Sequence, residues 1–157
     1  MINAFEQRRN RMYDLLNESG LNKAVIGNPK SVLYFTGIKI TPYERFAALV
    51  LDAKNRTSLM ILPSVDTNCM KGTVPEITYL DSEGPDKVIA DAVGGEEAIA
   101  IEKGYFNIAI GEKFSKLGCK LFDVGENIAK MRMCKDETEI ETIQRAAEIV
   151  DSTLEYV

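Results

Sequence analysis

The sequence contains no histidine and no tryptophan in 157 residues, and only three cysteines. Without histidine there is no Ser-His-Asp or Cys-His engine of the usual kind. An HExxH zinc site and the commonest transition-metal ligand are excluded with it. The missing tryptophan decides little. Cys69, Cys119 and Cys134 form no CxxC pair, and an odd count cannot close completely into internal disulfides. They read as reduced thiols of a cytosolic protein, serving as small buried hydrophobes. Basic clusters are also lacking: none exceeds the Arg8-Arg9 pair, and the formal net charge is −5. A nucleic-acid groove or an anionic membrane surface needs a basic stripe, so neither is an expected partner. No apolar run approaches the ~18 residues of a membrane span. The opening residues Met1 to Glu6 carry charge and no apolar h-region, so they do not read as a signal peptide.

What is present is an ordinary globular balance, 45% hydrophobic and 27% charged, at a length suited to one domain. Asn3 followed by Glu6 has capping-box spacing, and Phe5, Met12, Leu15 and Leu16 share a helical face. A short strand is expected over 23–27, broken by Asn28-Pro29. The apolar stretch Val32 to Phe35 fits a strand or a helical turn equally well. Phe46 to Leu51 is a continuous apolar run, which suggests a strand buried on both faces. A turn at 52–55 and a returning strand over 57–62 complete a hairpin. Beyond it the pattern predicts a short helix at 65–70, a strand at 76–80, a helix at 86–93 and a strand at 98–101. A helix at 105–117 and a strand at 120–123 follow. Alternating strands and helices plus a hairpin imply an α/β fold, three-layer α/β/α, with a mixed sheet including an antiparallel hairpin.

The last segment differs. Asp136 can cap a helix, with Glu139 three residues on. Ile140, Ile143, Ala147, Val150, Leu154 and Val157 then recur at spacings of three and four, a long apolar stripe. No stop signal follows. The helix is expected to run on beyond the given chain, with its stripe exposed or paired elsewhere.

Carboxylates, thiols, lysine and tyrosine remain as chemical candidates. Asp52, Asp66, Asp81 and Asp123 lie near expected strand ends without a diagnostic spacing, and read as solvated turn residues and caps. The glycines between Gly104 and Gly111 do not fit a P-loop, and Gly94-Gly95 does not fit a dinucleotide fingerprint. Cys119 and Cys134 lack a convincing activating neighbour. The most distinctive polar stretch is Tyr43-Glu44-Arg45. A guanidinium beside an aromatic on a loop suits carboxylate capture, and it also suits a surface ion pair.

The run from Met131 to Ala147, with Arg132, Lys135, Asp136, Glu139, Ile140, Ile143 and Gln144 at their places, resembles a family junction. Xaa-Pro aminopeptidases and Xaa-Pro dipeptidases (prolidases) carry such a run between an N-terminal domain and a metallopeptidase domain. SVLYFTGI, Ser31 to Ile38, and AIAIE, Ala98 to Glu102, resemble two further signatures of that family.

This resemblance implies a creatinase/prolidase-type N-terminal domain with a ribonuclease H-like motif over 1–131. Residues 132–157 would then be the linker and first helix of a C-terminal catalytic domain. In such relatives two divalent metal ions, of the Mn, Co or Zn type, sit on two aspartates, a histidine and two glutamates, and a metal-bound hydroxide attacks the bond before proline. None of those ligands maps onto this chain, so no catalytic, cofactor-binding or metal-binding residue is expected in it. The implied task is to shape substrate access and oligomer contacts. The implied partners are the chain's own catalytic domain, a second copy in a homodimer, and short proline-containing peptides. Tyr43 and Arg45 lie where relatives often carry a loop arginine facing a neighbouring active site, although Phe46 stands where many have proline. Arg132, Lys135 and Asp136 are implied to serve the interdomain junction, with the arginine buried. A creatinase-like or inactive homologue is one alternative. A stand-alone α/β binding or interaction module is another.

Overall fold

Asn3 starts the first helix, α1 (Ala4–Glu18), as its side-chain oxygen accepts the Glu6 N–H at 2.8 Å. This is seen in a computed structural model that describes residues 3–69 and 74–154, with the backbone alone described at 67–69. Strand β1 (Lys23–Ile26) follows, then α2 (Pro29–Thr36). The Asn28-Pro29 step that ends the strand also begins this helix. Asn28 caps the Lys30 N–H, and proline suits the first helical turn, where its missing donor costs nothing. That settles the ambiguity over Val32 to Phe35 in favour of a helix. Gly37 closes it at φ 74°, donating to Leu33 O.

The hairpin forms as expected from β2 (Ala48–Asp52) and β3 (Thr57–Pro63), paired antiparallel. The short helix expected over 65–70 is a 3-10 helix (Ser64–Cys69), and Met70 falls outside the described residues. Then come β4 (Glu76–Tyr79), α3 (Asp86–Val93), β5 (Ala98–Ile101), α4 (Ile108–Lys116) and β6 (Lys120–Asp123). Helix α4 starts three residues later than Tyr105, the expected start, because Asn107 caps the Ile110 N–H.

The six strands form one mixed sheet in the order β4-β3-β2-β1-β5-β6. β1 is antiparallel to β2 and parallel to β5, and β3–β4 and β5–β6 are parallel. Central strands are nearly continuous in burial, while edge strand β6 is mostly exposed. Strand periodicity divides the core between two faces. On one, Val25, Val50, Ile61, Ile99 and Ile101 meet Ile89 and Val93 of α3 and Phe114 of α4. The alternate set, Ala24, Ile26, Leu49, Leu51 and Met60, turns to the other face, where Met12 and Leu16 of α1 and Val32 and Phe35 of α2 are buried. Helices therefore cover both faces.

Buried with them are Arg8 and Arg9. Arg8 Nη1 donates to Tyr34 O at 2.9 Å and Arg9 Nη1 to Phe35 O at 2.7 Å. These carbonyls belong to the last turn of α2, where no intrahelical donor remains and the helix dipole favours a cation.

The chain divides into two compact units, residues 1–125 and 126–157. The junction motif places its boundary at 131/132, inside α5 (Gly125–Met133), a helix that the sequence reading did not include. In the second unit, α6 (Glu137–Leu154) begins with a complete capping box. Glu139 N–H donates to Asp136 Oδ1 at 3.0 Å, and Asp136 N–H donates to Glu139 Oε2 at 3.1 Å. No described residue of α6 is buried, and Ile140, Ile143, Val150 and Leu154 are exposed. Val157 lies outside the described residues.

Candidate functional site

Parallel neighbours β1 and β5 send the chain in opposite directions, into α2 on one face and α4 on the other. Their C-terminal ends therefore make a topological switch point, where open α/β sheets usually bind ligands. Here the protein occupies that crevice itself. Glu102, 5% exposed, accepts the Ser31 hydroxyl proton at 2.6 Å and the Asn28 N–H at 3.2 Å. Its carboxylate takes the place at the start of α2 where a phosphate would sit. Beside it the Phe106 and Tyr105 rings lie over Gly27. A Cβ at Gly27 would meet the Phe106 ring at 2.5 Å and the Tyr105 ring at 2.9 Å, so only glycine permits this approach. Sequence reasoning used Glu102 only as part of a strand motif and passed over Gly27. The usable signals were a glycine at a strand end and an aromatic pair after another glycine, Gly104.

The same rings form one wall of an open slot of about 300 Å³. Residues 43–47 make one side; Tyr105, Phe106, Asn107 and Ile110 make the other. Residues 42–45 form a tight turn, with Arg45 N–H donating to Pro42 O at 2.8 Å. Tyr43 sits in it at φ 50°, a left-handed conformation that costs a bulky residue roughly 1–3 kcal/mol. Its side chain is 83% exposed. Tyr79 anchors the far end of this segment, its hydroxyl donating to Phe46 O at 2.8 Å.

Arg45 is committed within its own chain. Its Nε lies 3.1 and 3.0 Å from the two oxygens of Asp81, and Nη1 lies 3.8 Å from Glu44 Oε1. The guanidinium pKa is raised, chiefly by the hydrogen bond and charge of Asp81. Of the two readings of this stretch, the surface ion pair is therefore the one formed. Desolvation raises the Tyr79 and Tyr105 phenol pKa values, so both hydroxyls stay protonated at neutral pH and neither supplies a base.

Asp81, read from the sequence as a solvated turn residue, is thus the partner of Arg45, and Asp66 adds a weaker charge effect on it; the remaining residues singled out have other roles. Asp52 accepts from Asn55, and Asp123 accepts from Gly125 N–H and Lys103 N–H, as turn residues and caps do. Cys119 is buried, donates to Glu96 O and has its thiol pKa pushed up by burial, which makes it inert. Cys134 is exposed, which corrects its reading as a buried hydrophobe. The side chain of Cys69 lies outside the described residues. In the second unit, Arg132 is half-buried in the last turn of α5, Lys135 Nζ donates to Met133 O at 3.1 Å, and Asp136 caps α6. Among the described residues no group of three or more acidic, cysteine or histidine side chains is placed to hold a metal ion. This chain's described residues thus do not fit the two-metal centre that the resemblance implies, and no step is derived through it.

Known proteins resemble this chain in sequence and in fold. An uncharacterised peptidase of Staphylococcus aureus (strain USA300) is 29% identical over 150 residues, covering 92% of this chain and 42% of its own length. The chain thus spans less than half of the curated relatives it matches. The N-terminal domain of an Xaa-Pro dipeptidase from Lactobacillus brevis superposes with a TM-score of 0.69 at 26% identity, covering 78% of this chain and 98% of that one. A dipeptidase from Pyrococcus horikoshii OT3 gives a TM-score of 0.80 at 24% identity, over 95% of this chain and 43% of that one. A family model, the Creatinase/Prolidase N-terminal domain, matches residues 8–134. With that match over most of its length, and with a fold similar to those structures, the chain belongs to the Creatinase/Prolidase N-terminal domain family.

Proposed function

We propose that this chain is the non-catalytic N-terminal domain of a metal-dependent Xaa-Pro peptidase, of the prolidase or aminopeptidase P type. One observation carries the reading. The chain covers 98% of a solved dipeptidase N-terminal domain but only 42% of a curated peptidase relative. Under this reading, residues outside this chain hold the two divalent metal ions, of the Mn, Co or Zn type. The Tyr43–Arg45 turn limits access to short proline-containing peptides and makes contacts in a cytoplasmic homodimer. Arg132, Lys135 and Asp136 serve the connection to the catalytic domain. The strained backbone at Tyr43 supports a functional turn, because strain of this kind persists where the surroundings hold it in place.

Two measurements test it. The purified chain, supplied with Mn²⁺ and an Xaa-Pro dipeptide, is expected to show no hydrolysis. Turnover that follows its concentration and survives repurification would overturn the non-catalytic assignment. In the longer protein, Arg45→Ala and Tyr43→Ala are expected to change kcat/KM for tripeptides relative to dipeptides. An unchanged length preference in both variants would remove the turn from substrate access.

A further inference from the structure

The slot beside Arg45 points to a ligand class that does not depend on the peptidase reading. Four of its nine lining residues are aromatic. Phe46 and Phe106 stack with ring centroids 6.0 Å apart, and Tyr105 meets Phe106 edge-on at 5.6 Å. Tyr43 also lines it and is exposed. Among the described lining residues Arg45 is the one cation, and Asp81 already holds it at 3.0 Å. Glu44, with its side chain 80% exposed, adds a second carboxylate 3.8 Å from that guanidinium. Asp66 also acts on the guanidinium electrostatically. The surroundings therefore carry more negative than positive charge. An incoming anion would meet Glu44 and a guanidinium whose charge Asp81 already balances. An incoming cation would meet aromatic rings and the Glu44 carboxylate, and both attract it.

We propose that this slot binds a cationic organic group, an ammonium or guanidinium on an apolar stem. A volume of about 300 Å³ accommodates a side chain of that size. The source is either a lysine or arginine side chain or the α-amine of a peptide, which share the same recognition chemistry. Ile110 and Phe106 receive the stem, while Glu44 and the tyrosines face the charge.

The test is a titration of the chain followed by backbone amide NMR. The probes are Nα-acetyl-arginine amide, Nα-acetyl-lysine amide, alanine amide, neutral Nα-acetyl-citrulline amide and anionic N-acetyl-alanine. Saturating shifts are expected at residues 43–47 and 105–110. A cationic probe is expected to bind about three- to thirtyfold more tightly than citrulline. Stronger binding of the acetylated arginine or lysine amide identifies a side chain as the source, and stronger binding of alanine amide identifies a peptide amine. Glu44→Gln, at an exposed position that leaves the core untouched, is expected to weaken the cation about two- to fivefold. Citrulline binding as tightly as arginine would overturn the proposal. So would a preference for the anion, or the absence of saturable shifts at these residues. Because the probes are not hydrolysed, none of these outcomes bears on the peptidase reading.

Discussion

The two longest helices, α1 and α6, begin in the same way and end in opposite environments. Each has an Asx residue at the N-cap and a glutamate three residues on, and each carries apolar residues at helical spacing. α1 buries Met12 and Leu16 completely and adds two arginines that hold the end of α2. α6, three residues longer, buries none of its described residues. Capping and periodicity thus determine that a helix forms and which stripe is apolar. They do not determine whether a surface exists to receive it. Helix stability in proteins comes mainly from such a surface, because propensity alone is marginal at this length.

The contrast can be broken by substitution. Leu16→Ala is expected to destabilise the first unit by about 2–5 kcal/mol, since a fully buried leucine leaves both lost transfer energy and a cavity. A urea midpoint that barely moves would show that α1 is no better anchored than α6. Arg9→Ala comes next, at about 1–3 kcal/mol in the same assay, because Phe35 O then loses its buried donor. Arg9→Lys should recover part of that loss, whereas a purely space-filling role predicts equal recovery by methionine. Asp136→Ala removes the α6 cap and is expected to cost about 1 kcal/mol locally. Amide exchange at Glu139 and Ile140 should accelerate while the urea midpoint of the sheet stays fixed. The smallest effect is expected for Ile143→Ser, within about 0.5 kcal/mol, because its side chain is already exposed. A loss comparable to that of Leu16→Ala would mean that the stripe is covered in solution.

Within the fold, the legible elements were those with local signals. The Asn3 cap, the 52–55 turn and the apolar run of β2 each carry their structure in a few neighbouring residues. Asn28-Pro29 carried two meanings, strand breaker and helix start, and only the second explains Val32 to Phe35. The late start of α4 followed from Asn107, a cap hidden inside a pattern that reads as helical from Tyr105. The slot was half legible. Tyr43 and Arg45 stood out by residue type, but the partner that neutralises Arg45 lies 36 residues away at Asp81. The facing wall at Tyr105 and Phe106 is more distant still in sequence.

By itself, the sequence determined the order and type of most elements, the mixed sheet expected from them, and the lack of histidine in these 157 residues. Those follow from local backbone preferences, hydrophobic period and composition. Tertiary structure alone decided that Arg8 and Arg9 are buried, that Glu102 bonds Ser31 and the Asn28 N–H at the switch point, and that Arg45 pairs with Asp81 beside a slot part-lined by aromatic rings. Each of these depends on groups that are distant in sequence and brought together by the fold. Electrostatic and packing energies fall off over a few ångströms in space, whatever the separation along the chain.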